Sequence, residues 1–143
     1  MIMRSESGIV WLERLAVELL HAESIADHGG MPDLRDEALL ESALARPRNL
    51  HGYEGVTDVL TLAACYAVAI ARNHPFLDGN KRAAFVAALV FAQQNGFRVV
   101  ADQAEAAAAM LSVATGEMGQ DEFAAWLRAQ RVVSDHSGLV SSK

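Results

Sequence analysis

Apolar side chains recur through residues 11–28 at Leu12, Leu15, Ala16, Leu19, Leu20 and Ile25, the spacing of one helical face, and Gly29-Gly30 ends the pattern. Ile9-Val10 ahead of it read as a few extended residues. Beyond Pro32, Asp33 stands where it can cap a second helix with Leu34, Ala38, Leu39, Ser42 and Ala43 on one side. Pro47 closes that helix, because the residue before a proline avoids helical geometry. Residues 49–56, with Gly52 and Gly55 around Tyr53-Glu54, read as an irregular loop of the kind that carries binding. The next two helices are different in kind. One runs from a cap at Thr57 or Asp58 to Arg72, the other from Gly79 or Asn80 to Asn95 with Gly96 as a left-handed C-terminal cap. Both are apolar almost all round, which places them at the centre of a domain. Val99-Val100 suggest a short extended stretch, residues 103–113 an Ala-rich helix, and Phe123, Trp126 and Leu127 one face of a last amphipathic helix. Consecutive helices with short connections and no strong alternating run predict an all-α, compact, single-domain helical bundle. Residues 1–133 form that domain; 134–143, with few apolar anchors, are expected to be a flexible C-terminal tail.

Composition narrows the function. The net charge of −6 over 143 residues speaks against a nucleic-acid or anionic-membrane footprint. A single cysteine, Cys65, rules out an internal disulfide and, in its apolar run, reads as a buried, inert thiol suited to a reducing cytoplasm. No signal-peptide core stands at the N-terminus, so a cytoplasmic location is expected. A helix of roughly 16 residues spans about 24 Å, short of a hydrocarbon layer of about 30 Å, so the apolar helices belong to a core. His21 and His28, without a cysteine or carboxylate at ligand spacing, do not make a zinc site.

The chemistry is concentrated between the two apolar helices, in His74-Pro75-Phe76-Leu77-Asp78-Gly79-Asn80-Lys81-Arg82. Burying such polarity without partners costs several kcal/mol, so these groups either satisfy one another and solvent or meet a ligand. Lys81 and Arg82 fall in the first turn of a helix, where the positive end of the macrodipole disfavours cations by about 0.3–1 kcal/mol each. With the free N–H groups of that turn, Gly79 for close backbone approach and the Asn80 amide, they form a cradle for phosphate. His74 can accept the proton of an attacking hydroxyl, and Asp78, a hard oxygen ligand, can hold Mg²⁺ or cap the helix. Phe76 and Leu77 are expected to plug into the core.

This segment resembles the signature H-x-F-x-[DE]-[GA]-N-[GK]-R of the Fic/Doc superfamily. Gly29-Gly30, Leu34-Arg35-Asp36, Leu44-Ala45-Arg46-Pro47, Ala71-Arg72-Asn73, Asn95-Gly96 and Ala114-Thr115-Gly116-Glu117 extend the likeness to the Doc (death on curing) branch. The resemblance implies the toxin of a bacterial toxin-antitoxin pair, with ATP and Mg²⁺ as cofactors. His74 is then the catalytic base, Asp78 the catalytic-site carboxylate that holds Mg²⁺, and Gly79, Asn80, Lys81 and Arg82 hold nucleotide phosphates. Most of the superfamily transfers AMP to a protein hydroxyl and has Gly in place of Lys81. Doc-type members with Lys there resemble protein kinases that place the γ-phosphate of ATP on a translation elongation factor, arresting translation. Pro75 and Gly79 are usual in the AMP-transferring branch, so an AMP transferase is the alternative, and a non-catalytic nucleotide-binding module the third reading. The self-inhibitory pattern [ST]-x-x-x-E-[GN] is absent: Glu54-Gly55 is preceded by Leu50 where Ser or Thr is needed. The resemblance therefore implies inhibition in trans by a small antitoxin that folds into a groove. Tyr53 is a candidate for aligning the protein substrate, or a packing residue of its loop.

Overall fold

The most apolar stretch of the chain becomes the axis of the fold. The computed structural model describes residues 8–134, as α1 (Arg14–His28), α2 (Glu37–Glu54), α3 (Val59–Asn73), α4 (Asn80–Gln94), β1 (Phe97–Val100), α5 (Gln103–Thr115), α6 (Gln120–Ala129) and β2 (Arg131–Ser134). In α3 every side chain from Leu60 to Ala71 except Thr61 is buried. Asp58 starts this helix by accepting the Thr61 N–H at 2.9 Å. Helix α4 lies along it and buries Phe91 together with Ala83, Ala84, Ala87, Ala88 and Ala92, small residues that let the two helices approach closely. Helices α2, α5 and α6 pack around α3, and α1 lies against α4. The all-α bundle expected from the pattern is the fold observed.

Local differences have identifiable causes. Helix α2 runs through Pro47 to Glu54, so residues 49–54 are helix and only the following residues are loop. Proline removes one N–H, but Leu40, Ala43, Leu44 and Pro47 share the buried face, and their packing outweighs the missing bond. The helix stops where Gly55 takes a left-handed conformation (φ 70°) and its N–H reaches the His51 carbonyl. The N-cap of α2 is Asp36, accepting the Leu39 N–H at 3.0 Å, rather than Asp33. Helix α1 buries Val17, His21, Ser24 and Ile25 and leaves Leu15 and Leu19 exposed, a rotation away from the leucine-rich stripe.

Ahead of α1 the chain is held by side chains. The Asn95 carboxamide accepts the Val10 N–H and donates to the Val10 carbonyl, both at 2.9 Å, and the Leu12 N–H donates to the Tyr66 hydroxyl at 3.1 Å. After α4, Gly96 (φ 101°) turns the chain into β1, which pairs antiparallel with β2, Phe97 opposite Ser134 and Val100 opposite Arg131. Ser134, assigned from sequence to the tail, thus ends a strand, while residues 135–143 lie outside the described residues. Among the described residues no helix is long and apolar enough to cross a membrane.

Burial pushes the Cys65 thiol up to about 11 from 9.0 and the Tyr66 hydroxyl up to about 12 from 10.0. The unfolded chain therefore releases these protons at lower pH than the native state does, so stability falls once pH rises above the unfolded values. Urea midpoints are expected to hold below pH 9, to fall from 9 to 10 as the Cys65 thiol alone becomes costly to keep protonated, and to fall more steeply above 10, where the Tyr66 hydroxyl adds to the loss. Cys65→Ala should remove the earlier part of that loss.

Candidate active site

The loop between α3 and α4 reverses the chain between two buried helices, and its backbone from residue 73 to residue 78 is gripped from several directions. Phe76 fills the core. Its N–H donates to Asn80 Oδ1 and its carbonyl accepts from Asn80 Nδ2, each at 2.9 Å, so one carboxamide satisfies both main-chain groups of a buried residue. From the α1–α2 connection, the N–H groups of Arg35 and Asp36 donate to the Pro75 carbonyl (2.6 and 3.0 Å), the Leu77 N–H donates to the Asp33 carbonyl (3.0 Å), and Leu34 forms an antiparallel bridge with Phe76. This pairing explains why Asp33 does not cap α2. Leu77, expected beside Phe76 in the core, points to solvent, because neighbours on an extended segment face opposite ways.

His74 sits at the C-terminal cap of α3 with φ 55° and ψ 55°, the left-handed region. Among the described residues it is the one non-glycine with positive φ. Such a conformation costs of order 1–3 kcal/mol and persists only where the surroundings impose it. Here the His74 N–H reaches the Ile70 carbonyl, and the Arg35 guanidinium donates to the His74 carbonyl at 2.7 Å and to the Asn73 carbonyl at 3.1 Å. Asn73 in turn donates to the Leu39 carbonyl at 2.9 Å. The imidazole is exposed and, among the described residues, has no hydrogen-bond partner.

On the other side of Phe76, Asp78 does not cap α4. Its Oδ2 accepts the Met31 N–H at 2.8 Å, across the Gly29-Gly30 turn, and Gly30 lies so close that a Cβ there would stand 3.1 Å from the Asp78 Cβ. The N-cap is Gly79, in a left-handed conformation and without a side-chain cap. The first turn of α4 thus keeps its N–H groups without acceptors among the described residues and carries Lys81 and Arg82, both exposed and outside any ion pair there. Positive charge, open N–H groups and a neighbouring imidazole gather at one loop, an arrangement that can hold phosphate and take up a proton.

Of the residues singled out from sequence, His74, Asp78, Gly79, Lys81 and Arg82 lie at the exposed or half-exposed rim of this loop. Asn80 is different: 4% exposed, its carboxamide is engaged with Phe76, so what it turns to the cradle is its main-chain N–H. Among the described residues Asp78 Oδ1 has no hydrogen-bond partner, and no group of three or more His, Cys, Asp or Glu could hold a metal ion. A single carboxylate fits Mg²⁺, which binds through one or two carboxylates together with substrate phosphates. His28 bonds the Ser24 carbonyl and His21 the Asp78 carbonyl, so the two do not converge. Tyr53, 87% exposed on the last turn of α2, lines a cleft of about 250 Å³ with Arg46, Asn49, Leu50, Glu54, Cys65 and Gln120, none of them from the loop. Sequence reasoning missed Arg35 and His21. The signal for Arg35 was its place in Leu34-Arg35-Asp36, a stretch resembling the Doc branch, whereas His21 was weighed from sequence only as a zinc ligand.

Comparison with known proteins agrees with the geometry. The profile of the Fic/DOC family matches residues 11–92. A protein of Escherichia phage P1 named protein kinase doc is 38% identical over 109 residues, 76% of this chain and 86% of the relative. Toxin Doc of Mycolicibacterium smegmatis is 39% identical over 113 residues, 77% of this chain and 86% of the relative.

Two substitutions separate scaffold from surface. Asn80→Ala strips two partners from a buried backbone and is expected to lower stability by about 1–3 kcal/mol in urea unfolding. Lys81→Ala, on the exposed turn, should leave stability within about 0.5 kcal/mol of the wild type while weakening phosphate binding.

Proposed function

The chain belongs to the Fic/DOC family, and on that premise we propose that it is the toxin of a toxin-antitoxin pair, moving the γ-phosphoryl group of ATP to a hydroxyl side chain of a translation factor. The observation that carries this reading is Lys81 on the open first turn of α4, exposed and, among the described residues, outside any ion pair and beside N–H groups without acceptors. Its side chain and charge take the place that Gly leaves open for a further phosphate in AMP-transferring members. The names of the two relatives, a protein kinase and a toxin, support the same reading.

In the reaction the substrate oxygen forms a bond to the γ-phosphorus while the bond from that phosphorus to the β,γ-bridging oxygen breaks, and ADP leaves. His74 takes the hydroxyl proton. Lys81, Arg82 and the N–H groups of the first turn hold the phosphates and meet the charge that develops on them, the main contribution a protein makes to phosphoryl transfer. Asp78 would hold Mg²⁺, which supplies neutralisation of phosphate charge when bound. Arg35 keeps the His74 backbone in its left-handed state, and so sets where the base stands. A small antitoxin acting in trans supplies the inhibition that the sequence lacks in cis.

Pro75 and Gly79, usual in AMP-transferring members, give the second reading, and one assay separates the two. Purified protein is incubated with elongation factor and ATP labelled at the α or the γ position. Label from the γ position is expected on the factor, and His74→Ala is expected to slow the transfer by about 10²–10⁴-fold. Transfer of α label in place of γ would replace the kinase reading with AMP transfer. Growth arrest in bacteria that is equal for wild type and His74→Ala would sink both.

A further inference from the structure

His21 is a buried polar side chain that the proposed transfer leaves without a task. It is 1% exposed, and its ring lies flat on Phe76, the centroids 3.7 Å apart and the planes 7° from parallel. Its Nε2 stands 2.7 Å from the Asp78 carbonyl oxygen. A carbonyl oxygen only accepts, so Nε2 carries the hydrogen and donates.

That bond fixes more than one atom. It turns the Asp78 carbonyl inward, towards α1. The peptide group is planar and, as among all described residues, trans, so the N–H of the same unit, that of Gly79, points the opposite way, out of the core. Gly79 is left-handed (φ 77°, ψ 20°) and Asn80 begins a right-handed helix. A left-then-right pair of residues turns successive N–H groups into one concavity, the nest that binds anions. The N–H groups of Gly79, Asn80 and Lys81 have no acceptor among the described residues. Close packing reinforces the arrangement: a Cβ on Gly79 would stand 3.2 Å from Ile25 Cδ1 and 3.6 Å from His21 Nε2.

We infer that His21 is a positioning residue for the phosphate site: by holding the Asp78 carbonyl it sets the plane of the 78–79 peptide and so completes a three-donor nest of Gly79, Asn80 and Lys81. The inference rests on reading this loop as a nucleotide site, and the anion it takes is a polyphosphate group. Asp78 is then held at both ends, its carboxylate by the Met31 N–H and its carbonyl by His21. The Phe76 stack alone does not require a histidine, since any flat ring supplies it. The donated hydrogen does.

The test titrates pyrophosphate into the isotope-labelled full chain and follows the backbone amide resonances, beside urea unfolding of the same samples. In the wild type the Gly79, Asn80 and Lys81 amides are expected to shift together. His21→Phe keeps a ring on Phe76 and loses the donor; it should bind pyrophosphate about tenfold more weakly, with the Gly79 shift lost first. His21→Gln, which keeps a donor, should stay within about threefold of the wild type and retain that shift. A wild-type Gly79 amide indifferent to pyrophosphate overturns the inference, as does a folded His21→Phe that binds as the wild type does. Should His21→Phe not fold, a folded His21→Gln without the Gly79 shift overturns it equally. Binding is read here without transfer, so an intact Gly79 response beside failure of the labelled-ATP assay removes the transfer reading alone.

Discussion

A chain that reverses between two helices buried on nearly every face must satisfy its own backbone at the turn, and the Asn80 carboxamide does this for Phe76. Each unmet buried polar group would cost about 1–3 kcal/mol, so this pairing decides whether the turn can exist inside the core. Once Phe76 is fixed, Leu34 pairs with it, His21 stacks on it, and the residues on either side are displayed at the rim: His74 before it, Asp78 to Arg82 after it. The reactive groups occupy their places because an unreactive one is anchored between them.

The electrostatics of α4 follow from the same arrangement. Ordinary helix design would put an acid at the N-cap and acids in the first turn. This helix has glycine at the cap and cations in the first turn, while the nearby carboxylate is drawn off by the Met31 N–H. Several small unfavourable terms are left standing at one place. A phosphate group would relieve all of them together, as donor groups find acceptors and cations a counter-charge.

Much of this was legible in the amino acids. Two helices apolar on every side announce a centre, and polarity confined to the segment between them announces a site. The exact duties were harder to read, because the same donors serve ligand and backbone: a carboxamide in a phosphate-binding signature reads as a ligand group until its partner is seen to be Phe76. The face of α1 was misjudged for a related reason. Leu15 and Leu19 outrank His21 in hydropathy, yet the buried histidine faces the core because it finds both a ring and a carbonyl there. Pro47 looked like an end because its local cost is visible in sequence and the buried face that offsets it is not. Strand β2 is too short to show alternation, and its existence depends on β1, far away along the chain.

The clamp between Asn95 and Val10 joins residues 85 apart, and that between Leu12 and Tyr66 joins residues 54 apart. Contacts so distant in sequence are closed late, after local helices have formed. During synthesis α1 leaves the ribosome before α4, and the segment that seats it waits for the end of α4 to emerge. His21 rides on that helix. The loop therefore acquires its last support only after α4 is complete, and a nascent fragment ending before Asn95 carries the signature without the scaffold that shapes it.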